Sequence, residues 1–406
     1  MKILFIADVP LDNPTSGSEQ VLHQQAVGLA KEGMAVFAIN RQEAPPLKII
    51  RNISGVSDGS YRASAQNMLR SLIPVARYPS NFYRRFTQDA PFQAAVCHQP
   101  FNCFSLLIMG KLRHVPFVYV FHSPSHEEYL LSQANRGRLR AFINANIRRM
   151  IEKFCLKRAI KIMVLSRYMK EKVQDIHGIP ANRIVINPGG VDLERFRPPE
   201  DRKALKQKLG FPEGKIHLLT VRNLEPRMGI ENLLKCILIL KKNRDAIHLV
   251  LGGDGIERQN LERFIKKYGL LGDVTMAGFI SPETLAEYYG AADFFVLPTR
   301  HLEGFGLVTP ESMACGTPVL GTPVGGTKEI LSGFDSRFLF RDTSPEAMAK
   351  GISWAVNEFF ARKKQYDRLR RDCREYVLKN YSWRRHIYQL KLSLDEILME
   401  KEVSLR

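Results

Sequence analysis

Apolar runs short enough to be strands alternate with stretches of helical periodicity along the whole chain, and no other feature constrains the fold as tightly. In the first half the runs fall at residues 2–7, 35–40, 94–98, 115–121, 161–165 and 183–186, with helical patterns at 18–33 and 138–158. The second half repeats the rhythm. Runs at 216–221, 247–251, 274–277, 294–297 and 318–321 alternate with helices at 230–243, 258–268, 282–291 and 310–314. Strands joined through helices lie parallel in a sheet covered by helices on both faces. A polar stretch containing Pro198-Pro199 divides the rhythm. The expectation is an α/β chain of two doubly wound, Rossmann-like domains, residues 1–197 and 198–380, followed by a helical tail at 381–406. Residues 41–91 are harder to assign. They carry Pro, Gly and Ser clusters around Arg62, Arg70, Arg77, Arg84 and Arg85, and read equally as a substrate-shaping insertion or a surface excursion.

With 406 residues, 45% hydrophobic and 25% charged, the chain has material for two cores, which excludes a disordered or coiled-coil protein. Apolar stretches such as 104–110 and 236–240 are far shorter than a membrane span requires. The opening residues hold one lysine before an apolar stretch ended by Asp8 and Pro10, which reads as a first strand rather than a secretory signal. Six cysteines without a CxxC pair point to a reducing cytoplasm, and the lack of zinc-type spacings predicts no dedicated metal site.

Charge is the anomaly: 60 Lys and Arg against 41 Asp and Glu give a net +19. Residues 136–172 hold 12 basic side chains against only Glu152 and Glu171. Such a field attracts phosphates, anionic lipid or nucleic acid. Within it, Leu139, Phe142, Ile143, Ile147, Met150, Ile151 and Phe154 recur at helical spacing. That stripe is expected to pack on the sheet, leaving the cations to face an anionic leaflet. No interleaved aromatic platform accompanies them, which argues against specific nucleic-acid binding.

The densest chemical signal is residues 297–331, LPTRHLEGFGLVTPESMACGTPVLGTPVGGTKEIL. A buried strand ends in a turn and a glycine-flanked loop, Glu303-Gly304-Phe305-Gly306. A helix then starts, with Thr309 as the expected N-cap and Pro310 at its first position. Main-chain N–H groups at such a start make an anion site, and the glycines let a phosphate approach closely. Glu303 and Glu311, eight residues apart, flank the loop. Two carboxylates able to accept from sugar hydroxyls beside a phosphate site suggest a nucleotide-sugar, although acidic residues also decorate ordinary helix starts.

At these residues the chain resembles the family 4 retaining glycosyltransferases, whose hallmark is two glutamates separated by seven residues with Gly-Phe-Gly between them. The resemblance extends to Gly17-Ser18-Glu19, His122, NPGGVDLERF at 187–196, the glycine turn at 252–255 and Tyr381-Ser382-Trp383. It implies the GT-B architecture, with two Rossmann-like domains facing across a cleft and the tail crossing back to the first, so that domain closure brings acceptor and donor together. The implied activity is metal-independent transfer of a sugar from a nucleoside diphosphate, UDP- or GDP-linked, to a glycan, lipid-linked or small-molecule hydroxyl, with retention. Direct front-face transfer is favoured, the leaving phosphate helping to take the acceptor proton.

Carried over by position, Glu311 would hold the ribose hydroxyls and Glu303 would contact the transferred sugar. Gly304, Phe305, Gly306 and Leu307 would offer main-chain amides to the donor. In the loop after the strand at 216–221 the family places an Arg and a Lys on the leaving diphosphate, where fixed cations meet developing charge. Here Met228 stands where Lys is usual, so Arg227 is the candidate replacement. Arg222 is the candidate for the other cation, although a one-residue shift would put the neutral Asn223 in that position. His122 would line the donor-sugar pocket, Gly17 would meet donor phosphate, and Phe279 and Ile280 would contact the base through backbone. Ser18, His126 and Glu127 are candidates for the acceptor. Gly252-Gly253-Asp254-Gly255 lacks the GxGxxG spacing, which makes NAD binding unlikely to arise from it. The rival readings are a GT-B epimerase or phosphorylase acting on related sugars, and a non-enzymatic binder of anionic surfaces.

Overall fold

The computed structural model describes residues 1–42, 48–62, 72–132, 138–243 and 246–405. Arg70 and Arg136 lie outside these. Two compact units divide the chain: Met1–Gly189 with Trp383–Arg406, and Gly190–Ser382. The boundary precedes Pro198-Pro199, so both prolines belong to the second unit. There Val191 N–H donates to the Tyr381 carbonyl at 3.1 Å, tying the two ends of that unit together.

In chain order the first unit runs β1 (Lys2–Ile6), α1 (Gly17–Lys31), β2 (Ala35–Gln42), β3 (Lys48–Ile53), β4 (Val56–Arg62), α2 (Leu72–Phe86), β5 (Ala94–His98) and α3 (Pro100–Ile108). It continues with β6 (Phe117–Phe121), α4 (Ser125–Ser132), α5 (Arg138–Arg158), β7 (Lys161–Val164), α6 (Arg167–His177) and β8 (Ile184–Ile186). The strands form one sheet in the order β3-β4-β2-β1-β5-β6-β7-β8. β1 is parallel to both neighbours, with Ile3 opposite Val36 and Leu4 opposite Ala95. Buried on both faces, β1, β5 and β6 read as continuous apolar runs rather than as alternation.

The stretch that resisted assignment contains the β3–β4 hairpin and α2. β4 extends the parallel sheet and β3 turns back antiparallel on its edge, an exception to the expected parallel rule. α2 lies so close to β4 that a Cβ at Gly59 would come within 2.7 Å of the Phe82 ring.

The second unit runs α7 (Arg202–Lys208), β9 (Ile216–Val221), α8 (Ile230–Asn243), β10 (Ile247–Gly252), α9 (Arg258–Lys267), β11 (Val274–Gly278), α10 (Pro282–Ala291) and β12 (Phe294–Leu297). α11 (Val308–Ala314), β13 (Val319–Gly321), α12 (Gly325–Phe334), α13 (Pro345–Ala355) and α14 (Lys363–Asn380) complete it. Its parallel sheet has the order β11-β10-β9-β12-β13, so the winding reverses between β9 and β12. That reversal leaves a crevice beyond the carboxyl ends of these two strands, the place where doubly wound sheets bind ligands. The loops that follow them are 222–229 and 298–307. α15 (Trp383–Leu405) belongs to the first unit, where Gly28 on α1 lies against Ile387 with no room for a Cβ.

Candidate active site

The crevice of the second unit is assembled by close backbone packing. Gly229 adopts φ +72°, and a Cβ there would sit 2.0 Å from the Pro298 carbonyl oxygen. Arg300 N–H donates to the Arg227 carbonyl at 2.8 Å, which locks the β9 and β12 loops together. Leu302 holds the left-handed φ of +58° immediately before Glu303, a strain of about 1–3 kcal/mol for a branched side chain. Its carbonyl accepts from Arg227 Nη1 at 3.1 Å. From beneath, Gly325 and Gly326 open α12 against the same loop. Gly326 N–H donates to the Glu303 carbonyl at 3.0 Å, and a Cβ on Gly325 would lie 1.9 Å from that carbonyl oxygen. The Gly-Gly pair is therefore a backbone seat for the Glu303–Phe305 turn.

Glu303, 7% exposed, accepts from Arg222 Nη2 at 2.5 Å and from Thr299 Oγ1 at 3.1 Å. Arg222 also reaches Met228 Sδ at 3.0 Å, and its buried Nε carries no partner among the described residues. The two residues expected at the leaving group and at the sugar thus form an ion pair, with Met228 packed beneath as an uncharged wall. Asn223, which a one-residue shift would put in the place of Arg222, is exposed. Arg227 pairs with Glu225 Oε2 at 3.0 Å.

The helix after the loop begins at Val308 with Leu307 as its cap residue, two residues earlier than the pattern predicted. Thr309 lies inside the first turn. Its N–H is taken by the Gly306 carbonyl at 2.9 Å, and its hydroxyl is 3.4 Å from Thr327 Oγ1. Gly306, at φ +82°, leaves the space that Thr327 fills. Among the described residues, the amides of Phe305, Gly306, Leu307 and Val308 donate to no protein acceptor, so four successive N–H groups remain for a ligand. Gly304 is engaged within the protein.

Glu311 sits in the first turn of α11 with its Oε2 accepting from the Tyr289 hydroxyl at 3.2 Å. Its edge is open to solvent, but the packed surroundings desolvate the carboxyl and raise its pKa to about 7, against the hydrogen bond from Tyr289. Phe279 is exposed while Ile280 is buried against Gly252. The glycine turn of β10 meets the β9 loop: Leu224 N–H donates to the Asp254 carbonyl at 2.8 Å, and a Cβ on Gly253 would strike the Arg222 carbonyl.

In the first unit, Gly17 opens α1, but its cap is Ser16. Glu19 is spent on that cap, accepting from Thr15 N–H at 2.7 Å and Ser16 N–H at 3.0 Å. Ser18 Oγ lies 3.3 Å from Ser16 Oγ. His122 follows β6 with its Nε2 2.9 Å from His98 Nδ1. Of the acceptor candidates, Glu127 is paired with Lys172 at 2.8 Å, and His126 on the same helix has a buried Nδ1 without a partner among the described residues.

The basic helix α5 departs from expectation. Leu139, Phe142, Ile143, Ile147 and Met150 do not pack on the sheet. They are exposed, Leu139 by 74% and Met150 by 70%, while Ala141, Ala145, Ile151, Cys155 and Leu156 form the buried face. Small residues let this helix approach α3 and α4 closely, and the bulky apolar side chains are left outside with Arg140, Arg149 and Lys157. Among the described residues no helix is long and apolar enough to cross a membrane.

The pairing of Arg222 with Glu303, the Thr299 hydrogen bond and the Gly325-Gly326 seat are contacts that only the fold brings together. Of these, the Gly-Gly pair leaves a signal in the sequence. Comparison with known proteins gives the same picture for both units. A family profile described as Glycosyltransferase Family 4 matches residues 15–195, and one described as Glycosyl transferases group 1 matches 201–377. A D-inositol 3-phosphate glycosyltransferase of Paenarthrobacter aurescens is 30% identical over 82% of this chain and 83% of its own length. An uncharacterised glycosyltransferase of Methanocaldococcus jannaschii is 27% identical over 55% of this chain, a match that spans 56% of that protein. Sucrose-phosphate synthase from Thermosynechococcus elongatus shares the fold over 98% of this chain and 100% of its own, with a TM-score of 0.81 at 20% identity. The chain carries the two modules of GT-B enzymes in order and belongs to the family 4 glycosyltransferases.

Proposed function

We propose that this protein transfers a sugar from a nucleoside diphosphate, UDP- or GDP-linked, to an acceptor hydroxyl, with retention of anomeric configuration and without a metal. The observation that carries the reading is the Arg222–Glu303 ion pair beside the four open amides of Phe305–Val308. The amides and the guanidinium groups of Arg222 and Arg227 receive the diphosphate, and the Glu311 carboxylate accepts from the ribose hydroxyls. Glu303, oriented by Arg222 and Thr299, faces the transferred sugar. In the reaction the bond from the anomeric carbon to the phosphate oxygen breaks and its electron pair stays on that oxygen. The acceptor oxygen bonds to the same face of the carbon, and its proton passes to the departing phosphate. The cations and amides stabilise the charge that grows there.

The inositol-phosphate relative supports a polyol or phosphorylated polyol as acceptor. Ser18, His126 and Glu127 are its candidate contacts, Glu127 being freed when Lys172 turns to an anionic group. The protein acts in the cytoplasm, and α5 rests on an anionic leaflet. The exposed Phe142, Ile143 and Met150 give apolar area for the headgroup boundary, and Arg140, Arg149 and Lys157 give charge at about 1 kcal/mol per residue. Flotation with phosphatidylglycerol vesicles, lost on replacing Phe142 and Met150 by Ser, checks this surface; equal binding to neutral vesicles would reject the charge contribution.

The central test incubates the protein with UDP-, GDP- and ADP-sugars in chelator, with and without polyol acceptors, and reads product anomer by NMR. Retained glycoside formed only with acceptor is expected. Conversion of donor alone would instead establish an epimerase. Arg227→Ala should weaken nucleoside diphosphate binding about ten-fold while sparing the nucleoside, as loss of one charge-assisted hydrogen bond does. Equal losses for both ligands would remove Arg227 from the phosphate site.

A further inference from the structure

Three buried side chains of the first unit have no part in the chemistry above, yet they end on His122. His386 on α15 places Nδ1 2.8 Å from the Pro188 carbonyl oxygen. Its Nε2 is 2.8 Å from Gln25 Nε2 on α1. Gln25 Oε1 is 3.0 Å from His98 Nε2, and His98 Nδ1 is 2.9 Å from His122 Nε2. Gln25, His98 and His386 are 0–1% exposed, so no water intervenes to supply or take a proton.

The carbonyl fixes the polarity of the whole run, because a carbonyl oxygen can only accept. His386 must therefore donate from Nδ1. As a neutral ring it must accept at Nε2, so Gln25 presents its NH2 there. The same NH2 lies 3.9 Å from Met163 Sδ, a weak acceptor. Gln25 then offers its oxygen to His98, which donates from Nε2 and accepts at Nδ1. His122 is left to donate from Nε2. Desolvation by burial holds all three rings neutral: His98 titrates well below the ordinary histidine range, and His122 and His386 at about 4. His122 Nδ1 has no protein partner among the described residues, and the ring is partly open to solvent.

We propose that His386, Gln25 and His98 are positioning residues that hold His122 as its Nε2–H tautomer, so that Nδ1 offers a lone pair to a hydroxyl of the bound sugar. The clause about the hydroxyl rests on the transferase reading; the tautomer does not. An aimed lone pair on a ring this hard to protonate orients a hydroxyl without removing its proton, so His122 is an acceptor of hydrogen bonds and not a general base.

Long-range 15N–1H correlation of histidine-labelled full-length protein, with rings assigned by single His→Asn substitution, tests the relay directly. His122 and His98 are expected protonated at Nε2 alone, and His386 at Nδ1 alone. A proton on His122 Nδ1 overturns the proposal whatever the enzyme's activity. In Gln25→Leu, His386 should keep its tautomer while His122 becomes a mixture. There kcat should fall about ten-fold, the factor one orienting hydrogen bond is worth, with nucleoside diphosphate affinity unchanged. An unmixed His122 in that variant also overturns it, and should Gln25→Leu fail to fold, the wild-type spectrum still decides. If His122→Ala turns over sugar at the wild-type rate, the sugar contact fails while the tautomer assignment stands.

Discussion

The two units set their candidate residues among different buried polar groups. The second keeps full charges: Arg222 against Glu303, and Arg202 with Lys206 against Asp293, whose carboxyl is held below the usual range despite its burial by hydrogen bonds from His217 and by the two cations. Behind His122 the first holds a neutral run in which His386, Gln25 and His98 each give and take a hydrogen bond, ending on the accepting Pro188 carbonyl at one side and the donating His122 Nε2 at the other. A desolvated charge is tolerated only beside its counter-charge, and such a pair is ready to be re-sorted by a dianionic diphosphate. A neutral run has little to give a phosphate, but it fixes direction, which a sugar hydroxyl needs.

The largest effect expected from this contrast is at Glu303. Glu303→Gln keeps an acceptor for Arg222 and Thr299 but removes the negative charge, and turnover should fall about 10²–10³-fold, as for other groups aimed at developing charge. Nucleoside diphosphate affinity should hold or rise, since Arg222 loses its competing anion. A near-normal rate measured in the glycoside assay would show that shape, and not charge, matters in the second unit.

Next comes the seat of the loop. Gly325→Ala sets a Cβ against the Glu303 carbonyl at a φ of +56°, so the turn must move. A displacement near 1 Å should lower turnover about a hundred-fold, and overpacking should cost about 1–3 kcal/mol in thermal unfolding. Wild-type kinetics in this variant would mean that the charged pair is positioned by its side chains alone.

The smallest effect sharpens the comparison through pH. With its pKa raised to about 7, Glu311 is largely protonated at pH 6 and ionised at pH 8. Ribose hydroxyls bind the carboxylate, so ligand binding releases a proton, and affinity should rise about ten-fold between pH 6 and 8. Stability runs the other way: a carboxyl whose folded pKa is raised favours the folded state most below its unfolded value, near 4.5, and that advantage is lost as pH rises through 7. Calorimetric titration with UDP or GDP checks the slope, and Glu311→Gln should flatten it.

Much of the strand and helix order was legible because periodicity is local. The runs at 94–98, 216–221 and 294–297 coincide with β5, β9 and β12. The β3–β4 hairpin was not, since a polar edge pair such as NISGVSDGS carries no alternation strong enough to read. The stripe on α5 misled for a related reason. Periodicity shows that a helix has an apolar face, but whether the partner sheet takes that face or the one lined with alanine depends on how near the neighbouring helices must come.

By itself the sequence determined two wound sheets, the glycine loop and the spacing of Glu303 and Glu311, because each rests on residues adjacent or a few turns apart in the chain. Only the tertiary structure decided that Arg222 and Glu303, 81 positions apart, form one ion pair, and that Gln25 and His386, 361 positions apart, pass a hydrogen-bond direction to His122. Hydrogen-bond polarity and ion pairing depend on distances of about 3 Å, and chain separation says nothing about those until the sheets have been wound.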